Sequence, residues 1–467
     1  MARERESEKI PTSRARRTAK VASLAAGEAV KQFGTRAANV ARGEEAAEEA
    51  MAKRQLETAK QIVAALGTMK GAAMKLGQVM SFLDVGLVPE QYREEFQHEL
   101  AKLRDAAPTV SFKQMRKVIE DDLEEPIDEV FASFEQEPIA AASIGQVYRA
   151  KLHDGREVAV KVQYPGVASA VRADMQNLDM IMRLLKRMTP GLDVKAITKE
   201  VRERIIEELD YELEAQNQRA LARIFEGHPF IVVPGVVTSL SRERVLVSEF
   251  VEGVGFEELK KRSQAERDRI GEIVFRFFLG CLYRHHQFSG DPHPGNFLLL
   301  GDGRVAFLDF GLFKRLEAGP VDLELAAQRA VTERNAAALH SLLAQSGFLP
   351  NPERVDPEHL LAFVDSAIWW YTSDEVVQLT PEMATEVMIE SSDPRSSHFR
   401  EMRHQDMRPE HLFGRRMEML TLAVLAQLRA RNNWHRIARE WMYGDAPVTE
   451  LGRQEAEFYG RTGVGAR

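Results

Sequence analysis

An α+β protein is predicted, with its strands confined to the middle of the chain and helices at both ends. Alternation of apolar and polar residues, the two-residue period of a strand, falls between about residues 138 and 310 and is punctuated by Asp154-Gly155 and Asp302-Gly303. Apolar spacing of three and four residues, the helical period, dominates before and after. The stretch between residues 289 and 312, SGDPHPGNFLLLGDGRVAFLDFGL, then fixes how the two kinds of segment combine.

In that stretch Asp291 is followed five residues later by Asn296, then by the apolar run FLLL. Asp302-Gly303 predicts a two-residue hairpin turn into the strand VAFLD, and the stretch ends in Asp309-Phe310-Gly311. An Asp-Pro turn beside an ordinary hairpin would explain either half alone. The ordered combination is instead the metal-and-phosphate floor of a kinase-type, two-lobed fold. Phosphoryl transfer needs Mg²⁺ on hard oxygen ligands, and Asn296 and Asp309 supply them from neighbouring loops. Asp291 falls near the attacking nucleophile.

The opposite wall of a nucleotide site is predicted upstream. Ala140, Ala141, Ala142 and Ser143, with Gly145, form a small-residue loop ahead of a hairpin whose second strand, VAVKV, carries Lys161. A covering loop and a lysine reaching the phosphates are the expected roles. Alanine resists positive φ, so this loop is stiffer than a glycine-rich one. Asp193 to Ile224 reads as one long acidic helix that hands a carboxylate to Lys161. Glu214 is favoured for that pair, with Glu208 or Asp210 left as partners for Lys75. Ser248 to Val251 come where a kinase-type chain crosses between lobes, so backbone groups at Glu249 and Val251 are expected to hold the adenine.

Composition sets bounds. The 467 residues are 44% hydrophobic and 29% charged, as in an ordinary soluble protein with a large core. One cysteine, Cys281, excludes an intramolecular disulfide and a cysteine-built zinc site. Met1 to Arg17 is charged rather than apolar, so a signal peptide is not expected there, and the most apolar helical stretch, residues 419–428, is about half of a membrane span. A cytoplasmic protein without a membrane span is expected. Residues 1–42 carry ten Lys/Arg against four Glu, a local +6 in a chain of net charge −8. Such an arm suits an anionic surface, lipid headgroups or nucleic acid, or is a solvated tail. Helical spacing in Lys20 to Arg42 allows it to lie on an anionic membrane at the inner face.

A second helical block, Leu56 to Leu83, keeps one face small with Gly71, Ala72, Ala73 and Gly77, and places Lys75 and Gln78 on a shared face. Lys75 reads either as a surface lysine or as a contact for a buried acid. Further helices are predicted after Pro89, over 111–123 and, beyond Lys314, over Leu323 to Ser346, Glu358 to Thr372 and Phe413 to Arg431. The four tryptophans are assigned to the core or to helix interfaces. The expected division is a basic arm (1–42), a helical extension (43–125), an N-lobe (126–251) and a helical C-lobe (252–467).

These motifs together resemble the UbiB/AarF atypical kinase-like family, bacterial relatives of the mitochondrial proteins needed for coenzyme Q synthesis. The resemblance rests on KLGQ (75–78), PIAAASIGQVYRA (138–150), VAVKVQYPG (158–166), EELDYELEAQN (207–217), SGDPHPGNFLL (289–299) and LDFGL (308–312). It implies a two-lobed protein-kinase-like fold with added N-terminal helices and a helical C-terminal region. It also implies ATP and Mg²⁺ as cofactors, Lys161 as the nucleotide lysine, Asp291 as the catalytic-loop aspartate, and Asn296 and Asp309 as metal ligands. The KLGQ helices would fold over the place where a protein kinase takes its substrate, making Lys75, Gln78 and Asp210 regulatory. Ser289-Gly290 stands where His-Arg is usual, His293 where a lysine is usual, and no Ala-Pro-Glu follows. Some bacterial members end in two membrane-spanning helices; such helices are not predicted here.

Three functions are in view. One is an ATPase or small-molecule or lipid kinase linked to isoprenoid-quinone metabolism. Another is a nucleotide-binding scaffold without phosphoryl transfer, and the third is an antibiotic phosphotransferase, which leaves KLGQ unexplained. A small-molecule or lipid substrate, no nucleic-acid partner and an admissible homodimer complete the expectation.

Overall fold

The computed structural model describes residues 110–142, 144–172, 206–390 and 409–462, with Lys53, Glu57, Lys60, Lys199 and Arg202. The basic arm, Lys75, Gln78, the helix expected after Pro89, and Ser143 lie outside the described residues. The chain divides into two compact units. One draws on residues up to Leu213 and on Val237–Glu249, the other on Glu214–Val236 and on Phe250 onward.

The strands in chain order are β1 (Phe131–Phe134), β2 (Ala140–Ala141), β3 (Gly145–Leu152), β4 (Glu157–Gln163), β5 (Ile231–Val232) and β6 (Val245–Glu249). They continue with β7 (Gly253–Val254), β8 (Gln287–Ser289), β9 (Phe297–Leu300), β10 (Val305–Phe307), β11 (Phe313–Arg315), β12 (Val377–Gln378) and β13 (Arg431–Asn432). The helices are α1 (Phe112–Leu123), α2 (Ile127–Val130), α3 (Tyr211–Ile224), α4 (Phe256–Leu259), α5 (Gln264–His285) and α6 (Ala318–Thr332). After them come α7 (Ala336–Gln345), α8 (Pro357–Thr372), α9 (Pro381–Glu390), α10 (Pro409–Leu428), α11 (Trp434–Met442) and α12 (Glu450–Thr462).

The first unit is built on an antiparallel sheet of order β1-β3-β4-β6, with β2 added along β3. Alternation is what buries it: Val158, Val160 and Val162 of β4 are all at 0% exposure, while Ala159 and Lys161 between them are half-buried. Helix α1 starts where Gln114 Oε1 accepts from the Ser111 N–H (3.3 Å) and hydroxyl (3.1 Å), a capping arrangement that satisfies an otherwise orphaned end. Its apolar face, Met115, Val118, Ile119 and Leu123, is buried, and Asp122 takes both the backbone N–H and the guanidinium of Arg244 at 2.9 Å.

Both Asp-Gly hairpins form, but with three-residue loops rather than the two-residue turn expected at Asp302-Gly303. Leu152 pairs with Arg156 and Leu300 with Arg304, and the third loop residue, Gly155 or Gly303, takes the left-handed conformation (φ 91° and 83°). The two loops repeat one device. The Asp accepts the Arg backbone N–H two residues on (3.0 Å in each) and holds the Arg Nε at 2.8 or 2.7 Å.

The single helix expected from Asp193 to Ile224 is interrupted. Residues 208–210 leave the helix, and α3 begins afresh at Tyr211, with Asp210 Oδ1 accepting from the Leu213 N–H at 3.0 Å. An aspartate ahead of an apolar turn is a helix start, and the acidic run masked it. The strand expected from FIVVPGVV also differs from its predicted place: β5 pairs in parallel with β10, in the second unit.

In the second unit a four-stranded sheet, β5-β10-β9-β7, and the short pair β8-β11 sit with the helices around α5. That helix is buried almost throughout, from Ile270 to Tyr283. Phe277 stacks on Phe307 at 3.6 Å, and Phe275 meets Trp370, Trp434 and Trp441 at 5.2–5.6 Å. The tryptophans are core residues, as expected: Trp370 and Trp434 are buried, Trp369 and Trp441 pack against the cluster. The helix expected over Leu323–Ser346 is two helices. Arg334 turns left-handed (φ 53°) and Asn335 caps α7 through Ala338 N–H at 3.0 Å. The pair β12-β13 was not foreseen. No helix among the described residues is long and apolar enough to cross a membrane.

Buried amid these charges is Arg276, whose side chain has 0% exposure. It bonds Glu272 (2.8 Å), Glu440 (2.7 Å), Glu455 (2.9 Å) and the Thr449 hydroxyl (3.0 Å), tying α5 to α11 and α12.

Two histidines beside that network set an acid limit. His228 Nδ1 accepts from Ile231 N–H (3.1 Å), so the ring is neutral with its proton on Nε2; burial, then Arg284, His285 and Arg276, lower its pKa to about 3. His285 is lowered to about 4 by burial and by Arg284 and His286. In the unfolded chain both take a proton near pH 6.5, whereas the folded chain refuses it, so stability present above that pH is lost as pH falls toward 4. Each contributes a slope of up to about 1.4 kcal/mol per pH unit. Thermal unfolding followed at pH 7 and pH 5 is expected to show a lower midpoint in acid, with a shallower decline in His285→Gln; a flat profile would contradict this.

Candidate active site

The second unit holds the predicted acidic and amide groups in two adjoining loops. Strand β8 leads through Ser289-Gly290 to Asp291, then a 3₁₀ turn over Pro294–Asn296 enters β9. The turn is self-locking: His293 N–H donates to Asp291 O (2.7 Å), Asn296 N–H to His293 O (2.9 Å), and Asn296 Nδ2 to Asp291 O (3.2 Å). Because its amide nitrogen faces a carbonyl, the Asn296 oxygen faces the other way. His293 Nδ1 accepts from Gly295 N–H at 3.0 Å and so shapes the turn.

Asp309-Phe310-Gly311 follows β10 and is joined to that turn through Leu308 N–H, which donates to Asn296 O at 2.9 Å. Asp309 Oδ1 accepts from Gly311 N–H at 3.0 Å. Three carbonyls of the segment are also engaged: Asp309 O by Ser289 Oγ (3.3 Å), Phe310 O by Asn217 Nδ2 (3.3 Å) and Leu312 O by Gly290 N–H (2.7 Å). Asp291, Asn296 and Asp309 are thus brought together, each half-buried.

The first unit carries the other predicted group. Lys161, opposite Val147 on one side and Leu246 on the other, places Nζ 5.0 Å from the centre of the Tyr211 ring, a cation–π contact. The alanine loop is drawn into the sheet: Ala140 and Ala141 are the exposed strand β2 opposite Val147 and Gln146, and Ala142 N–H donates to Gly145 O (2.9 Å). The stiffness expected of alanine is therefore an extended strand. A Cβ at Gly145 would fall 2.2 Å from Val162 O and 2.9 Å from the Tyr211 hydroxyl. Gly145→Ala is accordingly expected to cost about 1–3 kcal/mol, since the clash is with backbone. A thermal midpoint equal to wild type would refute that reading.

Glu214 is buried in the first turns of α3 and Glu208 lies nearly buried in the bend before it, whereas Asp210 is exposed and caps α3. Glu249 closes β6 opposite Val158, and the chain passes to the second unit between Glu249 and Phe250; Val251 follows, half-buried. Sequence reasoning missed the parts of Tyr211, Asn217, Gln163 and Ser289. Gln163 Nε2, buried, holds Leu209 O (2.7 Å) and Glu243 O (3.1 Å) and so fixes the bend before α3. A signal existed: Tyr211, Glu214, Asn217 and Gln218 recur at three- and four-residue steps, which puts bulky polar groups on the buried side of a helix.

The donors suit a hard cation. Asn296 and Asp309 offer oxygen, and among the described residues no group of three or more His, Cys, Asp or Glu could enclose a metal alone. Mg²⁺ is commonly held in just this way, by one or two protein oxygens with phosphate oxygens and water completing its shell.

An antiparallel sheet with a central lysine, and a helical unit carrying Asp291, Asn296 and Asp-Phe-Gly, define a protein-kinase-like fold. The ABC1 atypical kinase-like domain matches residues 102–342, and the chain belongs to that family, the UbiB/AarF atypical kinases. It is similar to the Rattus norvegicus mitochondrial atypical kinase COQ8B, 35% identical over 254 residues, 54% of this chain and 47% of that one. It is likewise similar to the AarF domain-containing protein kinase 1 of Xenopus tropicalis, 33% identical over 53% of this chain and 48% of that one. The chain thus spans about half the length of these curated relatives. Among solved structures, that of Rv3197 with erythromycin from Mycobacterium tuberculosis is 32% identical, with a TM-score of 0.61, covering 84% of this chain and 98% of that one.

Proposed function

We propose that the protein binds ATP with Mg²⁺ and either hydrolyses it or transfers its γ-phosphoryl group to a small molecule or lipid, in support of isoprenoid-quinone or membrane-lipid metabolism. The observation that carries this reading is the locked turn in which Asn296 holds the Asp291 carbonyl and abuts the Asp309 segment. In it Asn296 and Asp309 would hold Mg²⁺, whose part is to neutralise charge on the phosphate oxygens. Asp291 orients the attacking hydroxyl or water and accepts its proton. Lys161, kept in place by β4 and the Tyr211 ring, binds phosphate. Positioning of this kind supplies about 7–11 kcal/mol of such a barrier, so Ser289-Gly290 and His293 in place of the usual groups do not preclude turnover.

One observation favours a second reading, a nucleotide-binding scaffold. The alanine loop is a regular strand, so fewer backbone N–H groups are at liberty to follow a moving phosphate. The deciding experiment is ATP turnover by the purified full chain with Mg²⁺, with and without anionic liposomes, a quinone-precursor-like phenol and a macrolide. The macrolide is included because the similar Mycobacterium tuberculosis structure contains erythromycin. Turnover that rises with liposomes supports the enzyme and gives the basic arm a peripheral membrane role. Tight ATP binding without turnover under any condition leaves the scaffold.

A further inference from the structure

Asn217 is out of character for its position. It lies in the middle of α3 with 3% exposure, where a leucine would pack without polar cost. Its Oδ1 is buried with no hydrogen-bond partner among the described residues. Asparagine is also a poor helix former, because its amide competes for the backbone. Stability therefore does not account for it. What the side chain does accomplish is one bond: Nδ2 donates to Phe310 O at 3.3 Å. The assignment of nitrogen and oxygen is forced, since only the nitrogen can meet a carbonyl.

That carbonyl belongs to the residue after Asp309, and the Phe310 side chain is itself at 0% exposure. The carbonyls of Asp309, just before it, and of Leu312, two residues after it, are held by Ser289 Oγ and Gly290 N–H, both from the strand-to-loop passage that leads to Asp291. Asn217 holds the Phe310 carbonyl between them from a helix 93 residues away in the chain. Without it Phe310 O would be a buried acceptor lacking this donor, and the Phe310–Gly311 peptide, whose N–H binds Asp309 Oδ1 at 3.0 Å, would lose this restraint.

We infer that Asn217 is a positioning residue that fixes the Phe310–Gly311 peptide, whose N–H holds the Asp309 carboxylate, and thereby sets that carboxylate for Mg²⁺, making metal affinity depend on the state of α3. The inference rests on the Mg²⁺–ATP reading for its functional readout and on geometry alone for its structural one. Two variants test it in the full chain. Asn217→Leu fills the site but cannot donate; Asn217→Asp is isosteric and donates only when protonated.

The Mg²⁺ concentration giving half-maximal binding of a non-hydrolysable ATP analogue is measured, together with hydrogen exchange of the 309–312 amides without nucleotide. In Asn217→Leu the half-saturating Mg²⁺ is expected to rise about five- to tenfold, the worth of one hydrogen bond, with faster exchange at 309–312 and an unfolding midpoint not below wild type. In Asn217→Asp the defect is expected to be full at pH 8 and to shrink at pH 6, because a buried carboxyl facing a carbonyl holds its proton above the ordinary carboxylate range. A role in packing alone would leave that pH dependence absent. Unchanged Mg²⁺ dependence and unchanged exchange in a folded Asn217→Leu overturn the inference. If wild type binds no analogue at any Mg²⁺ concentration, the functional reading fails, and the exchange comparison still decides the role of Asn217.

Discussion

Asp309→Asn is expected to lower Mg²⁺-dependent ATP turnover by a factor of about 10²–10³ or more while the protein stays folded. The amide oxygen of asparagine still accepts from Gly311 N–H, the 3.0 Å bond that holds this carboxylate, so the loop keeps its form. What disappears is the negative charge, and with it most of the hold on a hard divalent cation. The measurement is steady-state turnover across a Mg²⁺ titration, with the thermal midpoint recorded alongside. Asp291→Asn run in parallel is expected to spare nucleotide binding and lose only the chemical step, since Asp291 meets Asn296 through its carbonyl rather than its carboxylate. Turnover in Asp309→Asn equal to wild type would sink the assignment of the metal to this loop.

The second large effect concerns stability. Arg276→Met is expected to destabilise the protein by about 3–5 kcal/mol, because it strips the cation from Glu272, Glu440 and Glu455 while leaving all three carboxylates buried. For a unit of this size that is a fall of roughly 10 °C in the midpoint of thermal unfolding. Burial alone would lower the guanidinium pKa, but Glu440, Glu455 and Glu272 outweigh it and raise it, so Arg276 is charged at any working pH. Burial raises the Glu455 carboxyl, with Arg276 and Arg284 pulling it down. Removing Arg276 raises it further. A group raised in the fold is stabilising while protonated and loses that contribution as pH rises, so the gap between variant and wild type at matched pH is expected to narrow on acidification. Adding Glu440→Gln and Glu455→Gln to Arg276→Met is expected to recover part of the loss, since of the three buried carboxylates only that of Glu272 is then left without its cation. A single variant as stable as wild type would show that the cluster is solvated or rearranged.

The sequence revealed what local chemistry controls. Asp291, Asn296 and Asp309 were legible because their spacing is set by one turn and one hairpin, and Lys161 because a strand period places it. Hairpin loop length was misjudged by one residue: the Asp-Gly pair is also compatible with a loop whose third residue is the left-handed glycine, and the following Arg, which bonds the Asp, decides for it. The bend at 208–210 was hidden because an acidic run has helical spacing whether or not a cap interrupts it. Asn217 was unreadable as a functional residue, since the carbonyl it holds lies 93 residues away in the chain. The parallel pairing of β5 with β10 was hidden for the same reason. Non-local contacts leave no period.

The interleaved division of the chain has a consequence for how it is made. Strand β4 needs β6 along one side, yet β6 leaves the ribosome about 80 residues later, after a helix and strand most of which belong to the other unit. At about 5–20 residues per second the nascent sheet waits on the order of 4–16 s with that side unpaired. Val158, Val160 and Val162, all fully buried in the finished sheet, belong to the waiting strand. This interval is when the chain is most open to off-pathway association. Slowing translation between residues 163 and 245 is therefore expected to reduce soluble yield, and a holdase acting on that window to restore it.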